Sequence, residues 1–164
     1  VLRLDSRDLE ILRILSREGR IAKADLAKRI NLSTSPAWER LKRLETAGII
    51  AGYHAEIALR AVAPHLTIFV TLELERHGTE SFRAFETLIE NREEVLGCWA
   101  LGGGFDYLMQ IVTRDIDSYQ AFMEELLRDS GGIARYYTYV VTKPVKTGAP
   151  PPLELLMKPT EPGG

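Results

Sequence analysis

Cysteine is almost missing from this 164-residue chain: Cys98 stands alone, so no internal disulfide staples the fold, and no Cys/His cluster has zinc-ligand spacing. Lying in the apolar run Val95 to Leu101, that thiol reads as a small buried hydrophobe. Long apolar stretches are missing as well. None approaches the ~18 residues of a membrane span, and Val1-Leu2-Arg3-Leu4-Asp5 lacks the basic and apolar blocks of a secretory leader. These absences lead us to expect a cytoplasmic protein with no membrane partner. Catalytic constellations are lacking too. His54, His65 and His77 fall in linker or loop positions as solvated residues, and there is no Ser/His/Asp or Cys/His set. No Gly-rich loop joins a strand to a helix as a phosphate-binding loop requires. The expectation is therefore no enzyme activity, no catalytic residue, no cofactor and no resident metal.

Positive charge is scarce overall, with a formal net charge of −2, but it is unevenly spread. Residues 1–60 carry 12 Lys+Arg against 8 Asp+Glu, while the remainder carries 9 against 15. A basic first module suffices for phosphate contact, and an acidic second half suits a separate domain with another task.

The first sixty residues read as three helices. Asp5 or Ser6 caps the opening helix, which turns Leu9, Ile11, Leu12 and Leu15 inward and ends by Gly19. Lys23 to Ile30 presents Leu26, Ala27 and Ile30 at helical spacing, and Asn31-Leu32 makes a tight turn. Ser33 sits where a capping hydroxyl would serve, and Pro36 falls in the first turn, where a missing amide costs nothing. Ala37, Leu41 and Leu44 then form the inner stripe of a third helix, opposite Ser35, Trp38, Glu39 and Lys42, with Arg40 and Arg43 flanking. Ile49-Ile50 and Tyr53 read as a short strand pair hinged at Gly52, which would make a wing. Paired helices of this kind are built to lie in the major groove of double-stranded DNA.

The second half alternates strands and helices in the order β-α-β-β-α-β. Leu66, Ile68, Val70, Leu72 and Leu74 share one face of the first strand, and a helix capped near Thr79 buries Phe82, Phe85, Leu88 and Ile89. Strands at Val95 to Leu101 and Asp106 to Thr113 flank the turn Gly102-Gly103-Gly104. A helix capped by Asp115 or Asp117 turns Tyr119, Phe122, Met123, Leu126 and Leu127 inward, and Ile133 to Thr142 is the last strand. There, alternation puts Ile133, Arg135, Tyr137, Tyr139 and Val141 on one side and Ala134, Tyr136, Thr138 and Val140 on the other. Neither face is cleanly polar, and a partly apolar open sheet is covered most cheaply by a second copy of itself, so a homodimer is expected.

The expected fold class is thus α+β: an N-terminal helix-turn-helix domain, winged-helix-like, over residues 1–55, followed by a ferredoxin-like βαββαβ domain over residues 66–146. Residues 56–65 are expected to link them, and residues 147–164 to form a Pro-rich C-terminal tail with Pro150-Pro151-Pro152 and a Glu161-Pro162-Gly163-Gly164 end. The apolar stretch Leu153 to Met157 is suited to docking on a neighbour; otherwise the tail reads as an extended appendage.

In its order of parts and its motifs the chain resembles the Lrp/AsnC ("feast/famine") transcriptional regulators over about residues 4–146. The resemblance is carried by Leu4-Asp5, Asp8, Ile11-Leu12, Gly19-Arg20-Ile21, Leu26-Ala27, Leu32-Ser33, Arg40, Arg43-Leu44-Glu45, Gly48-Ile49-Ile50 and Gly52-Tyr53. In the second half Gly103, Asp106-Tyr107-Leu108, Thr138 and Lys146 add to it. It implies a dimer that assembles to tetramers or octamers, and a second domain that binds a small effector, commonly an amino acid or derivative, near a subunit interface. The chain departs from the family pattern at Gly102-Gly103-Gly104, where Thr-Gly-Asp is common, and at Ala22 as the cap of the second helix. The Pro-rich stretch beyond Lys146 also exceeds the family's usual end.

Two candidate sites follow. For DNA, Ser33, Thr34, Ser35, Trp38, Glu39, Arg40, Lys42 and Arg43 offer hydroxyls at a helix N-terminus and cations along one face. The plainer alternative is a solvated face with Trp38 tucked into the core and Arg40 paired with Glu45. For an effector, Gly102, Gly103 and Gly104 offer unhindered amides to a carboxylate, Asp106 a partner for an ammonium group, and Tyr136 and Thr138 hydroxyls. The plainer alternative there is a tight hairpin with Asp106 bonding its own turn. A DNA-binding regulator responding to an effector is the preferred reading; the rivals are an architectural DNA protein without effector response and a small-molecule enzyme on a ferredoxin-like module.

Overall fold

Helix signals and apolar stripes place the first elements. Asp5 caps α1 (Ser6–Leu15) by accepting from the amides of Arg7 and Asp8, and Asp8 returns the bond to the Asp5 amide, a reciprocal capping box. α2 (Lys23–Arg29) follows, then a turn at Asn31, which takes the left-handed conformation with φ of 53°. α3 (Thr34–Thr46) carries Pro36 in its first turn. The computed structural model describes residues 2–157. The Glu161-Pro162-Gly163-Gly164 end lies outside the described residues.

The three helices close on Ile11, Ile14, Leu26, Ala27, Ile30, Ala37, Leu41 and Leu44, with Leu12, Leu15 and Ile50 packed around them. Ile14, which the α1 pattern left out, is buried, and Leu9 is only half-buried. The expected wing strands do not form. Instead Gly48, with φ of 69°, ends α3 while the amides of Gly48 and Ile49 bond the carbonyls of Glu45 and Leu44. The chain then runs irregularly, and the Tyr53 hydroxyl returns to Glu45 at 2.8 Å. A glycine C-terminal cap outcompetes a two-strand pairing that had only Ile49, Ile50 and Tyr53 to hold it.

By contacts the chain forms two compact units: residues 2–56 with 146–157, and Ile57–Val145. The stretch read as a linker contains a single helical turn, α4 (Leu59–Val62). In the second unit β1 (Leu66–Leu74), α5 (Thr79–Glu90), β2 (Val95–Ala100), β3 (Tyr107–Thr113), α6 (Ile116–Ser130) and β4 (Ile133–Val140) form an antiparallel sheet in the order β2-β3-β1-β4. That order, with both helices on one face, is the ferredoxin-like arrangement. Ile68, Val70, Leu72, Met109 and Ile111 meet Phe85, Ile89, Phe122, Met123 and Leu126 in the core. Asp115 caps α6 through the Ser118 amide, and Gly131, with φ of 59°, ends it. Leu127, expected inside, is 36% exposed.

One register irregularity changes the reading of β4. Arg135 pairs with Glu73, but Ile133 pairs with Leu74, a shift that turns Ile133 toward the core. Tyr136, Thr138 and Val140, opposite Leu72, Val70 and Ile68, face the helix side; Arg135, Tyr137 and Tyr139 face outward. The outer face thereby gathers Phe69, Leu108, Trp99, Tyr137 and Tyr139 without a helix over them, and the last three are exposed.

In the first unit the tail adds α7 (Leu153–Leu156), whose Glu154 pairs with Arg13 at 3.0 Å. Pro151 and Leu153 line a hollow of about 320 Å³ with Leu12, Leu15, Ile49, Ile50 and Tyr53. Leu155 and Leu156 remain exposed.

Leu44, fully buried in the three-helix core, sets a test of that packing. Leu44→Ala is expected to cost about 2–5 kcal/mol in urea unfolding. A loss below about 1 kcal/mol would show that the α1–α3 core is packed differently.

Candidate nucleic-acid interface and ligand site

α3 keeps its outer face free because Ala37, Leu41 and Leu44 anchor the inner one. Ser33, Thr34, Ser35, Trp38, Glu39, Lys42 and Arg43 are all exposed, and together they form one continuous surface from the N-terminus of α3. Ser33 is the N-cap by backbone conformation, but its hydroxyl makes no capping bond, contrary to the expectation. Trp38 is neither bare nor tucked into the core. It is 37% exposed, with Lys23 Nζ 3.3 Å from the ring centroid, a cation–π contact that joins the start of α2 to the α3 surface.

The arginines follow neither the expectation that leaves Arg40 free for DNA nor the alternative Arg40–Glu45 pair, which is absent. Arg40 Nη1 lies 2.6 Å from Asp5 and 2.9 Å from Asp8, and Arg43 Nη2 lies 2.6 Å from Asp8. The Asp8 side chain is fully buried. Glu45 accepts from Tyr53 instead, and burial together with Glu45 pushes that phenol up to about 12. The sequence pattern missed the role of Asp8; the signal available was an acidic residue three after the cap, which reads only as a capping box.

At the second candidate site, Gly102, Gly103 and Gly104 are exposed, and nothing stands within 4 Å of where a side chain would project from any of them. Their turn presents open backbone, as a carboxylate ligand would need. Asp106 does not bond its own turn through its side chain. Its Oδ2 accepts the Leu74 amide at 2.7 Å, while its backbone amide donates to Leu72, tying the entry of β3 to β1. His77 Nε2 lies 3.3 Å from the same carboxylate oxygen, so this histidine has a partner that spacing in the sequence did not show.

Among the described residues, no hydrogen bond joins Tyr136 or Thr138 to the turn. They lie on the helix-side face of β4, where Thr138 bonds the hydroxyl of buried Tyr119. The residue beside the glycines, Phe105, meets outward-facing groups instead: Tyr137 at 5.5 Å between centroids in an edge contact, and Arg135 at 5.5 Å over the ring. Regular alternation along β4, with Tyr136 and Thr138 opposite the inward-facing Leu72 and Val70 and with Arg135 and Tyr137 opposite Glu73 and Thr71, is the reason.

Cys98 is half-buried beside Glu86, and burial first, then that carboxylate, push its thiol up to about 11. It lines a hollow of about 370 Å³ between α5 and β2 with Glu86, Glu90 and Tyr107. A thiol so raised is a poor nucleophile at neutral pH. Among the described residues no group of three or more His, Cys, Asp or Glu is placed to hold a metal ion, and no helix is long and apolar enough to cross a membrane.

Comparison with known proteins agrees with this division. Residues 4–51 match the family profile described as winged helix-turn-helix DNA-binding, and residues 67–151 that of the Lrp/AsnC ligand binding domain. The chain is 49% identical over 145 residues to the transcriptional regulatory protein DoeX of Halomonas elongata, covering 88% of this chain and 92% of that protein. It is 36% identical over 143 residues to the leucine-responsive regulatory protein of Escherichia coli, covering 87% of each. The crystal structure of a transcriptional regulator from Neisseria meningitidis in complex with L-Met superposes with a TM-score of 0.87 at 32% identity, covering 94% of this chain and all of that one.

The Asp5 cap makes acid stability a check on this geometry. Bonds from the Asp8 amide and from Arg40 hold its carboxyl below the ordinary 3.8, at about 2. A carboxyl depressed on folding contributes stability that is present above 3.8 and lost as pH falls through about 2. Asp5→Asn is expected to flatten the decline in stability between those pH values, followed by circular dichroism. An unchanged acid limb would show that the Asp5 carboxyl is not held below its ordinary value by folding.

Proposed function

The chain belongs to the Lrp/AsnC family of transcriptional regulators, and on that premise we propose that it acts as a homodimer whose two α3 helices read related half-sites of duplex DNA and whose ferredoxin-like units answer to an amino acid or a derivative of one. It is a DNA-binding regulator with an effector domain; the dimer, the half-sites and the class of effector are our reading.

The observation that carries this reading is the surface of α3. Two serines, a threonine, a tryptophan and the cations Lys42 and Arg43 stand exposed on a helix whose other face is fully committed to the core. Hydroxyls and backbone amides at a helix start suit phosphate oxygens, while longer side chains further along reach base edges. Twofold symmetry would present two such helices to a pseudo-palindrome, one helical turn or a multiple apart.

For the dimer, support comes from the outer sheet face. Trp99, Tyr137 and Tyr139 are about half exposed, and Gly97 gives the Trp99 ring a flat bed, since any side chain there would collide with it. Aromatic rings on an uncovered sheet are the surface that a second copy buries at least cost. Tetramers or octamers built from that dimer fit the same reading.

For the effector, support comes from the open glycine turn together with the structural likeness to a regulator solved with L-Met. Backbone amides of Gly102, Gly103 and Gly104 would take the carboxylate, and Asp106, with 18% of its side chain exposed, would face the ammonium group. Tyr136 and Thr138 face the helix side of the sheet, and a second subunit beside the turn would offer a further set of hydroxyls. An effector acts through its different affinity for two assemblies of the same protein, and shifts their balance by no more than that difference. No step in this function requires a catalytic residue.

Binding to a duplex enriched from a random-sequence pool tests the reading, alongside molar mass by light scattering. The expected mass is twice that of the chain or an even multiple, and Lys42→Ala is expected to lower the slope of log affinity against log salt by about 1. A monomer that enriches no sequence, with or without each amino acid supplied, would overturn it.

A further inference from the structure

Around the start of α1, three side chains reach across to the helix pair. Arg7 Nη1 donates to the Asn31 carbonyl at 3.2 Å, at the left-handed turn between α2 and α3. Asp5 and Asp8 take Arg40, and Asp8 takes Arg43. Asp8 is the central group. Its side chain is fully buried and uses both oxygens, Oδ1 on Arg40 and Oδ2 on Arg43 and the Asp5 amide. The two arginines differ in what they have left. Arg40 is drawn in, with two carboxylates on one nitrogen and 29% of its side chain exposed. Arg43 gives Asp8 one nitrogen and keeps 45% of its side chain exposed on the α3 surface.

We propose that Asp8 is a positioning residue for DNA recognition, withdrawing Arg40 from the duplex and holding Arg43 by one end of its guanidinium so that its remaining N–H groups are presented in a fixed direction. This deepens the DNA-binding reading and rests on it. An arginine on a flexible stem binds phosphate wherever it finds one, and such contacts add affinity without sequence information. Anchoring one nitrogen removes that freedom, because the planar fork then points one way and matches one arrangement of acceptors. Pairing Arg40 inside has the complementary effect of removing one cation from sequence-independent attraction. The anchor therefore acts on discrimination more than on total affinity.

The test compares affinity for a duplex enriched by the wild-type protein with affinity for a scrambled duplex of equal length, across a salt series. Asp8→Asn keeps the size but loses the charge. It is expected to bind the enriched duplex about tenfold more weakly while binding the scrambled one at least as well as wild type does. A purely structural role would weaken both by one factor, and an unchanged ratio overturns the proposal. Should Asp8→Asn fail to fold by circular dichroism, Arg43→Lys carries the test, since it keeps the charge and loses the fork. Its salt slope is expected to match wild type while discrimination falls about tenfold; full discrimination overturns the proposal. Arg40→Gln is expected to leave the salt slope unchanged, and a slope lower by about 1 would place Arg40 on phosphate and overturn its withdrawal. Failure of the wild-type protein to enrich any duplex would instead reject the DNA-binding reading itself.

Discussion

A carboxylate taken fully out of water is held there only by its partners, and Asp8 has three: Arg40, Arg43 and the amide that closes the α1 cap. Removing one partner from such a group leaves charge stranded in a poor solvent for it, so the arrangement is specified tightly even if it adds little net stability. The geometry of the first unit follows from this. α1 is capped by the same residues that grip α3, so the helix that starts the chain is tied to the one proposed to meet DNA. Apolar packing of Ile11, Ile14, Leu41 and Leu44 brings the helices together, and the ion cluster links the start of α1 to α3.

The second unit solves a different problem. A four-stranded antiparallel sheet with both helices on one face leaves its other face to solvent, and here that face is aromatic. The β4 irregularity near Glu73 and Leu74 matters to this, because it turns Ile133 inward while Tyr137 and Tyr139 point outward. Asp106 pins the entry of β3 to β1 through the Leu74 amide, and so steadies the base of a glycine turn that is otherwise open. A rigid base beneath an unencumbered backbone would suit the carboxylate ligand proposed for this turn, since the protein would lose little freedom on binding it.

Much of this was legible in the residues. The helix pair showed through Leu26, Ala27, Ile30, Ala37, Leu41 and Leu44, all buried as their spacing implied, and the strand and helix order of the second half followed from alternation and caps. Alternation on β1 survived intact because the strand is central and covered on one face. On β4 it failed at Ile133, since an irregular pairing depends on the partner strand and leaves no mark in the strand's own pattern. The strand pair read at Ile49 to Tyr53 misled for a related reason: three apolar residues signal burial, and the chain after the Gly48 cap continues without strands. Individual site residues were the least legible. Arg40 and Lys42 are both cations on one helix, and only the position of Asp8, 32 residues from Arg40, distinguishes the one turned inward from the one left in solvent.

In the DNA-binding reading proposed above, α3 is the surface that meets the duplex. Hydrogen exchange measured by mass spectrometry, with and without an enriched duplex, addresses this directly, because protection reports which backbone the DNA covers or steadies. Slowed exchange in peptides spanning residues 23–46, with the outer sheet face unaffected, is expected on that reading. Protection confined to residues 66–140, with exchange in α3 unaltered, would contradict it.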